Sequence, residues 1–200
     1  PLLAATVLAA SMGALPLLLD VGAPAQAAAL PERLTDQEFW KLVSETSEKG
    51  GSFRSDNLLS NEVRFQHVIP GLIKAVKPGR AYVGVGPEQN FTYIAAIRPA
   101  IAFIVDIRRG NLHLHLLYKA LFEMSTDRAE FVARLFSRKR PEGLTAKSTV
   151  GEIFAAFGTV DATEALYNQN LKAVQTHLVV KRGLALSSDD LKGIEYVYNA

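Results

Sequence analysis

Two glycines and one aspartate are the residues of this chain whose types and spacing suit chemistry. Gly84 and Gly86 flank Val85 directly after the apolar run Ala81-Tyr82-Val83. Asp106 closes a second apolar run, Ile101-Ala102-Phe103-Ile104-Val105, 22 residues after Gly84. A glycine turn lets backbone N–H groups at the start of a helix face a ligand without side-chain obstruction. A carboxylate about 20 residues further on, at the end of the next strand, reaches the hydroxyls of a bound ribose. The expected chemistry is therefore the holding of a nucleoside cofactor. Gln89 and Asn90 shape the turn beside the two glycines, and Arg108 lies next to the carboxylate. A dinucleotide fingerprint needs a third glycine where Gln89 stands. A nicotinamide-dependent oxidoreductase is disfavoured on that ground.

These residues need a strand, a turn, a helix and a second strand to position them. The spacing predicts a βαβ unit over 80–110, with its helix over Phe91–Arg98. Ahead of it, Thr35-Asp36-Gln37-Glu38 has the form of a capping box. It predicts a helix with Phe39, Leu42 and Val43 on its inner face, ending near Gly50-Gly51. A second helix is expected to start near Ser60, carrying Val63, His67, Ile69, Leu72, Ile73 and Val76, with a kink at Pro70. Lys77-Pro78-Gly79 ends it. Beyond Asp106 the periodicity is helical: Leu112, Leu116, Leu117, Ala120, Leu121 and Met124 form one run. Further helices are expected over Asp127–Phe136, Val150–Phe157 and Thr163–Val180. A last one, capped by Ser187-Ser188-Asp189-Asp190, holds Leu191, Ile194 and Val197.

Two parallel strands are too few for a stable open sheet. The fold class expected is α/β, present as a helix-rich, incomplete N-terminal portion with a helical insertion. Its remaining strands are expected beyond residue 200. The anticipated organisation is a leader over 1–29, a helical segment over 30–79, the βαβ unit over 80–110, and a helical region of the same domain over 111–200.

The chain opens with proline, and Leu2–Leu19 is almost wholly apolar. Ala23-Pro24-Ala25-Gln26-Ala27 follows, with Ala25-Gln26-Ala27 the better cleavage pattern. This reads as a secretory signal clipped at its start. A membrane-spanning helix is the alternative, weakened by Gly13, Pro16 and the alanine-rich exit. The expected location is exported, either periplasmic or secreted, with membrane contact only through the leader. A formal charge of +2 predicts no nucleic-acid partner. The absence of cysteine removes disulfides, thiolate catalysis and Cys-based zinc sites.

A second candidate site is the loop Arg54–Glu62, where Asn57 and Glu62 can bond a polar ligand or fix the loop. Ser60 and Asn61 also fit as caps of the next helix, with Glu62 favoured by its dipole. His113 and His115 stand two apart on a helix and so point to different faces, which is not metal-ligand spacing. No metal site is expected. His67 and His177 have no identifiable partner. Arg134, Arg138, Lys139 and Arg140 cluster at a helix end, where the helix dipole favours them without any ligand. No nucleophile elbow accompanies a Ser-His-Asp set.

At Gly84-Val85-Gly86 and Asp106 the segment resembles the class I S-adenosylmethionine-dependent methyltransferases. The glycines match their first glycine motif, and Asp106 matches the acid that holds the adenosine ribose. The resemblance implies a Rossmann-like domain and S-adenosylmethionine as cofactor, with Gly84, Gly86, Gln89, Asn90, Asp106, Arg108 and Asn57 around it. The chain is also similar to a family of exported bacterial proteins of uncharacterised function with methyltransferase-like domains. That likeness spans Phe53–Glu62, the glycine turn, Val105-Asp106-Ile107-Arg108 and Asp190–Tyr196. It implies that the Arg54–Glu62 loop covers the cofactor. Tyr82 departs from the pattern, standing where such enzymes place an acid, and Pro87-Glu88-Gln89 replaces a more glycine-rich turn. Two functions remain open: a methyltransferase-like binder of S-adenosylmethionine with unknown acceptor, or an exported non-catalytic binding or scaffold module on a degenerate fold.

Overall fold

Thr35 opens the first helix by the capping box its sequence encodes. Its hydroxyl accepts from the Glu38 N–H, and the Glu38 carboxylate accepts from the Thr35 N–H at 2.8 Å. The computed structural model describes Pro31 and residues 33–48 and 50–200. The leader expected over 1–29 lies outside the described residues. From residue 33 onward they belong to one compact unit. Helix α1 runs Asp36–Thr46 and stops short of Gly50-Gly51.

The second helix starts later than its sequence suggests. Residues 60–64 are not helical; a 3-10 turn, Phe65–Val68, leads into α2, Ile69–Ala75. Pro70 lies in the first turn of α2, where its missing N–H costs no helical bond, so it starts the helix and does not kink it. Val63, His67 and Ile73 are exposed in consequence.

Strand β1, Ala81–Val85, follows, then α3, Gln89–Ile97, and β2, Ile101–Val105. The strands pair in parallel, with Ala81 opposite Ile101 and Val85 opposite Val105. Among the described residues they form a two-stranded sheet. The fold is mixed α/β and strongly helical.

Helix α4, Arg109–Met124, is the axis of the core. Leu116, Leu117, Ala120 and Leu121 are almost completely buried against α7 (Glu164–Thr176) and α8 (Ser188–Asn199). Helices α5 (Arg128–Leu135) and α6 (Val150–Phe157) close one side, with Ala133, Ile153 and Phe157 in a smaller cluster. Leu178-Val179-Val180 is helical, as the pattern suggests. It belongs to a π turn, His177–Lys181, in which the Arg182 N–H reaches back to the His177 carbonyl. Among the described residues no helix is long and apolar enough to cross a membrane.

Candidate functional site

The parallel register carries the glycine turn and the aspartate to one edge of the sheet. Gly84 remains inside β1, opposite Ile104, so the turn proper begins one residue later than the glycine pair suggests. Gly86 adopts a φ of +86°, a left-handed conformation that glycine takes without steric cost. Its N–H donates to the Val105 carbonyl at 3.1 Å, which ties the turn directly to the residue before Asp106.

Gly84 is needed for a different reason. A Cβ there would sit 1.9 Å from the Asn90 Oδ1 and 2.5 Å from the Tyr82 hydroxyl. The vacated space holds the Asn90 side chain, which is 1 % exposed. Its Nδ2 donates to the Pro87 carbonyl at 2.8 Å and the Val85 carbonyl at 3.1 Å, and its Oδ1 accepts from Tyr82 at 2.7 Å. Asn90 thus shapes the turn from within. Tyr82 serves the same network, and burial first, then neighbouring Tyr93, pushes its hydroxyl pKa up.

Asp106 sits just past β2 and accepts three bonds from Arg108. Oδ1 takes the backbone N–H at 2.9 Å and Nε at 3.0 Å, while Oδ2 takes Nη2 at 2.9 Å. Burial pushes the carboxyl pKa up, but the Arg108 bonds and nearby His115 outweigh it and bring it below the ordinary range. Oδ2 keeps free accepting capacity; Oδ1 has its two lone pairs engaged. Arg108 also donates to the Ser55 carbonyl at 3.2 Å.

Through that contact the Arg54–Glu62 loop crosses the same edge of the sheet. Gly51 donates to the Ile107 carbonyl at 2.6 Å, and the Ser60 N–H meets both oxygens of Glu88 at 3.1 Å. Tyr196 of α8 donates to Asp56, and Leu58 packs against the core. Ser60 and Asn61 therefore cap no helix, and Glu62 lies in no first turn. Asn57 is exposed, with a φ of 44° and its N–H facing the Ser55 hydroxyl at 3.4 Å. The structure draws Gly86, Gln89, Asn90, Asp106 and Arg108 together, and leaves the Asn57 side chain on the outside.

His115, read from the sequence only as one of two histidines without metal-ligand spacing, touches the turn. Its Nε2 lies 3.0 Å from the Gly86 carbonyl. A carbonyl only accepts, so Nε2 carries the hydrogen. Burial lowers the His115 pKa more than the Gly86, Glu88 and Asp106 contacts raise it, which keeps the ring neutral near pH 7. A spacing of four separates Asn111 from His115, with Tyr118 and Phe122 continuing that stripe. This was the signal in the sequence that could have marked the face.

Other candidates find structural partners. His113 lies 2.9 Å from Asp190, whose carboxylate also takes Arg109 at 2.6 Å and caps α8 through Ser187. His177, expected to lack a partner, meets Glu123 at 2.7 Å. Two residues of the basic cluster pair with acids, Arg134 with Glu130 at 2.6 Å and Arg140 with Asp127 at 2.7 Å, and Arg138 donates to the Phe157 carbonyl at 2.8 Å. Arg134 and Arg140 thus have specific acids as partners, besides the helix dipole. Among the described residues no group of three acids and histidines could hold a metal.

Residues 58–188 match the family described as Domain of unknown function (DUF7790), and the chain belongs to that family. The matched span includes the glycine turn, Asp106, Arg108 and all of α4. No curated protein matches the chain.

Proposed function

We propose that the βαβ unit binds S-adenosylmethionine, as a Rossmann-like, methyltransferase-type domain whose methyl acceptor is unknown. The observation that carries this is the join between the two strand ends, the Gly86 N–H on the Val105 carbonyl at 3.1 Å. It sets a left-handed glycine beside a carboxylate at the carboxyl edge of a parallel sheet, where ligands of open α/β sheets bind. A ribose hydroxyl would take the free capacity of Asp106 Oδ2. A second hydroxyl needs Arg108 to release Oδ1. The Arg54–Glu62 loop, held to Arg108 and Glu88, would lie over the bound adenosyl group. Methyl transfer asks a protein chiefly to align an acceptor with the sulfonium carbon, so positioning would supply much of the rate.

Titration calorimetry of the chain with S-adenosylmethionine tests this. Binding is expected for the wild type, with a loss of at least tenfold in Asp106→Ala, the scale of a hydrogen bond to a charged group. Equal binding by that variant overturns the site. A second reading, an exported non-catalytic binding or scaffold module, draws on the closed Asp106–Arg108 pair, whose side chains are only 9 % and 11 % exposed. An adenosyl compound recovered with the purified protein, seen by mass spectrometry, would count against it.

A further inference from the structure

Two buried amide oxygens beside the glycine turn accept no hydrogen bond: Oδ1 of Asn111 and Oε1 of Gln89. Asn111 is 3 % exposed and lies in the first turn of α4. Buried acceptors are nearly always satisfied, because leaving one bare forfeits its bonds to water. Two such exceptions at one end of one βαβ unit call for a reason.

Their positions supply it. Asn111, His115, Tyr118 and Phe122 fall on one stripe of α4. Phe91 of α3 packs edge-on against His115, Tyr118 and Phe122, with ring centroids 5.5, 5.6 and 5.6 Å apart. The stripe therefore faces α3, and Asn111 continues it by one turn (about 5.4 Å) past the His115 ring, which lies 3.0 Å from the Gly86 carbonyl. Gln89 opens α3 on the other side, its Nε2 3.5 Å from the Val85 carbonyl and 3.7 Å from where a Gly86 Cβ would stand. Helix α3 begins at the glycine turn and α4 just past Asp106, so both oxygens lie toward the same edge of the sheet.

We infer that Asn111 and Gln89 are ligand-contacting residues whose orphaned oxygens accept hydrogen bonds from an amino group of the compound held at the glycine turn. The inference rests on the proposed binding of an adenosyl compound there. In the orientation seen, each amide presents an oxygen, which accepts and does not donate, and so selects a donor over a phosphate or carboxylate. An amino group carries two or three hydrogens and can satisfy both residues, whereas a hydroxyl has one to give. S-adenosylmethionine offers two such groups, the adenine amine and the ammonium of its amino-acid end.

The test uses Asn111→Leu and, at a half-buried position, Gln89→Met. Unfolding temperature without ligand and affinity for S-adenosylmethionine and methylthioadenosine are measured on the full chain. A structural asparagine would lower the unfolding temperature when replaced. An oxygen kept for a ligand would leave it unchanged or raised, since an unsatisfied acceptor is gone. The expected result is an undiminished unfolding temperature together with about a fivefold weaker affinity, the scale of one neutral hydrogen bond. A penalty seen with both compounds assigns the contact to the adenine amine; one confined to S-adenosylmethionine assigns it to the ammonium. A lowered unfolding temperature, or wild-type affinity in the variants, overturns the inference and leaves the proposed cofactor standing. Failure of the wild type to bind either compound overturns both.

Discussion

Leu116, Leu117, Leu121 and Ile194 are at most 1 % exposed around α4, whereas Val83 and Val85 of β1 are each 67 % exposed. The contrast continues across the sheet, since Phe103 and Val105 share that open face at 38 % and 48 %. One region is held by apolar burial in three dimensions. The other is held by a five-residue ladder, the α3 side of the sheet and a network of polar contacts around Asn90. Polar linkage differs in the same way. Asp190 joins α4 to α8 through Arg109 and His113, residues 81 and 77 positions away, while Asp106 is held by Arg108 two positions on. The helical region carries the stability of the unit, and the strand pair presents the candidate site.

The largest effect should therefore come from α4. Leu121→Ala removes a side chain with no exposed surface at the centre of the main cluster. A loss of about 3–5 kcal/mol is expected, the upper part of the range for buried leucines, because neighbours on α7 and α8 limit collapse of the cavity. Denaturant unfolding followed by circular dichroism would measure it. A loss under about 1 kcal/mol, the size of a surface change, would mean that α4 is not the axis of the core.

A smaller, pH-dependent effect is expected at Glu123. Its carboxylate accepts from Lys119 at 2.6 Å, His177 at 2.7 Å and Arg182 at 2.8 Å, and Arg182 reaches on to Asp36 of α1 at 3.4 Å. Burial pushes the carboxyl pKa up, but the hydrogen bonds from these three donors and the charge of Lys119 bring it down to about 2 from an ordinary 4.5. A pKa lower in the folded than in the unfolded chain stabilises fully above about 4.5, and that contribution fades as pH falls toward 2. Glu123→Gln should cost about 2 kcal/mol near pH 7 and show a shallower loss of stability between those limits. Parallel pH profiles for variant and wild type would show that Glu123 contributes nothing to the acid transition.

What was legible in the sequence follows the same division between local and distant. Thr35 and Glu38, Thr149 and Glu152, and Ser187 and Asp190 close capping boxes within four residues, so the starts of α1, α6 and α8 could be read directly. The strands and their order were equally plain, being short apolar runs around a glycine turn. The start of α2 was not: Ser60 looks like a cap, but its N–H is committed to Glu88, 28 residues on. The partner of His177 stands 54 residues away on α4. At the candidate site the spacing of Gly86 and Asp106 was readable, but the engagement of Asp106 by Arg108 depends on side-chain rotamers. Likewise, no pattern in the sequence announces that the oxygens of Asn111 and Gln89 go unpaired.

The smallest expected effect is the sharpest check on the contrast between the two regions. Val83 lies at the middle of β1, opposite Phe103, in an apolar strand that a ranking by hydrophobicity alone would place in the core. Its side chain is 67 % exposed, on the face that α3 does not cover. Threonine keeps the β-branched shape and strand preference of valine and adds a hydroxyl that solvent can bond. Val83→Thr should therefore change stability by less than about 0.5 kcal/mol, the ordinary range for surface positions, whereas a valine-to-threonine change in a packed core is not volume-conserving and costs more. Hydrogen exchange of the β1 amides should be unaltered as well, since the ladder to β2 does not involve the side chain. A loss above about 1 kcal/mol would mean that this face is covered in solution, and the strand pair would then belong to the packed interior that the helices now occupy alone.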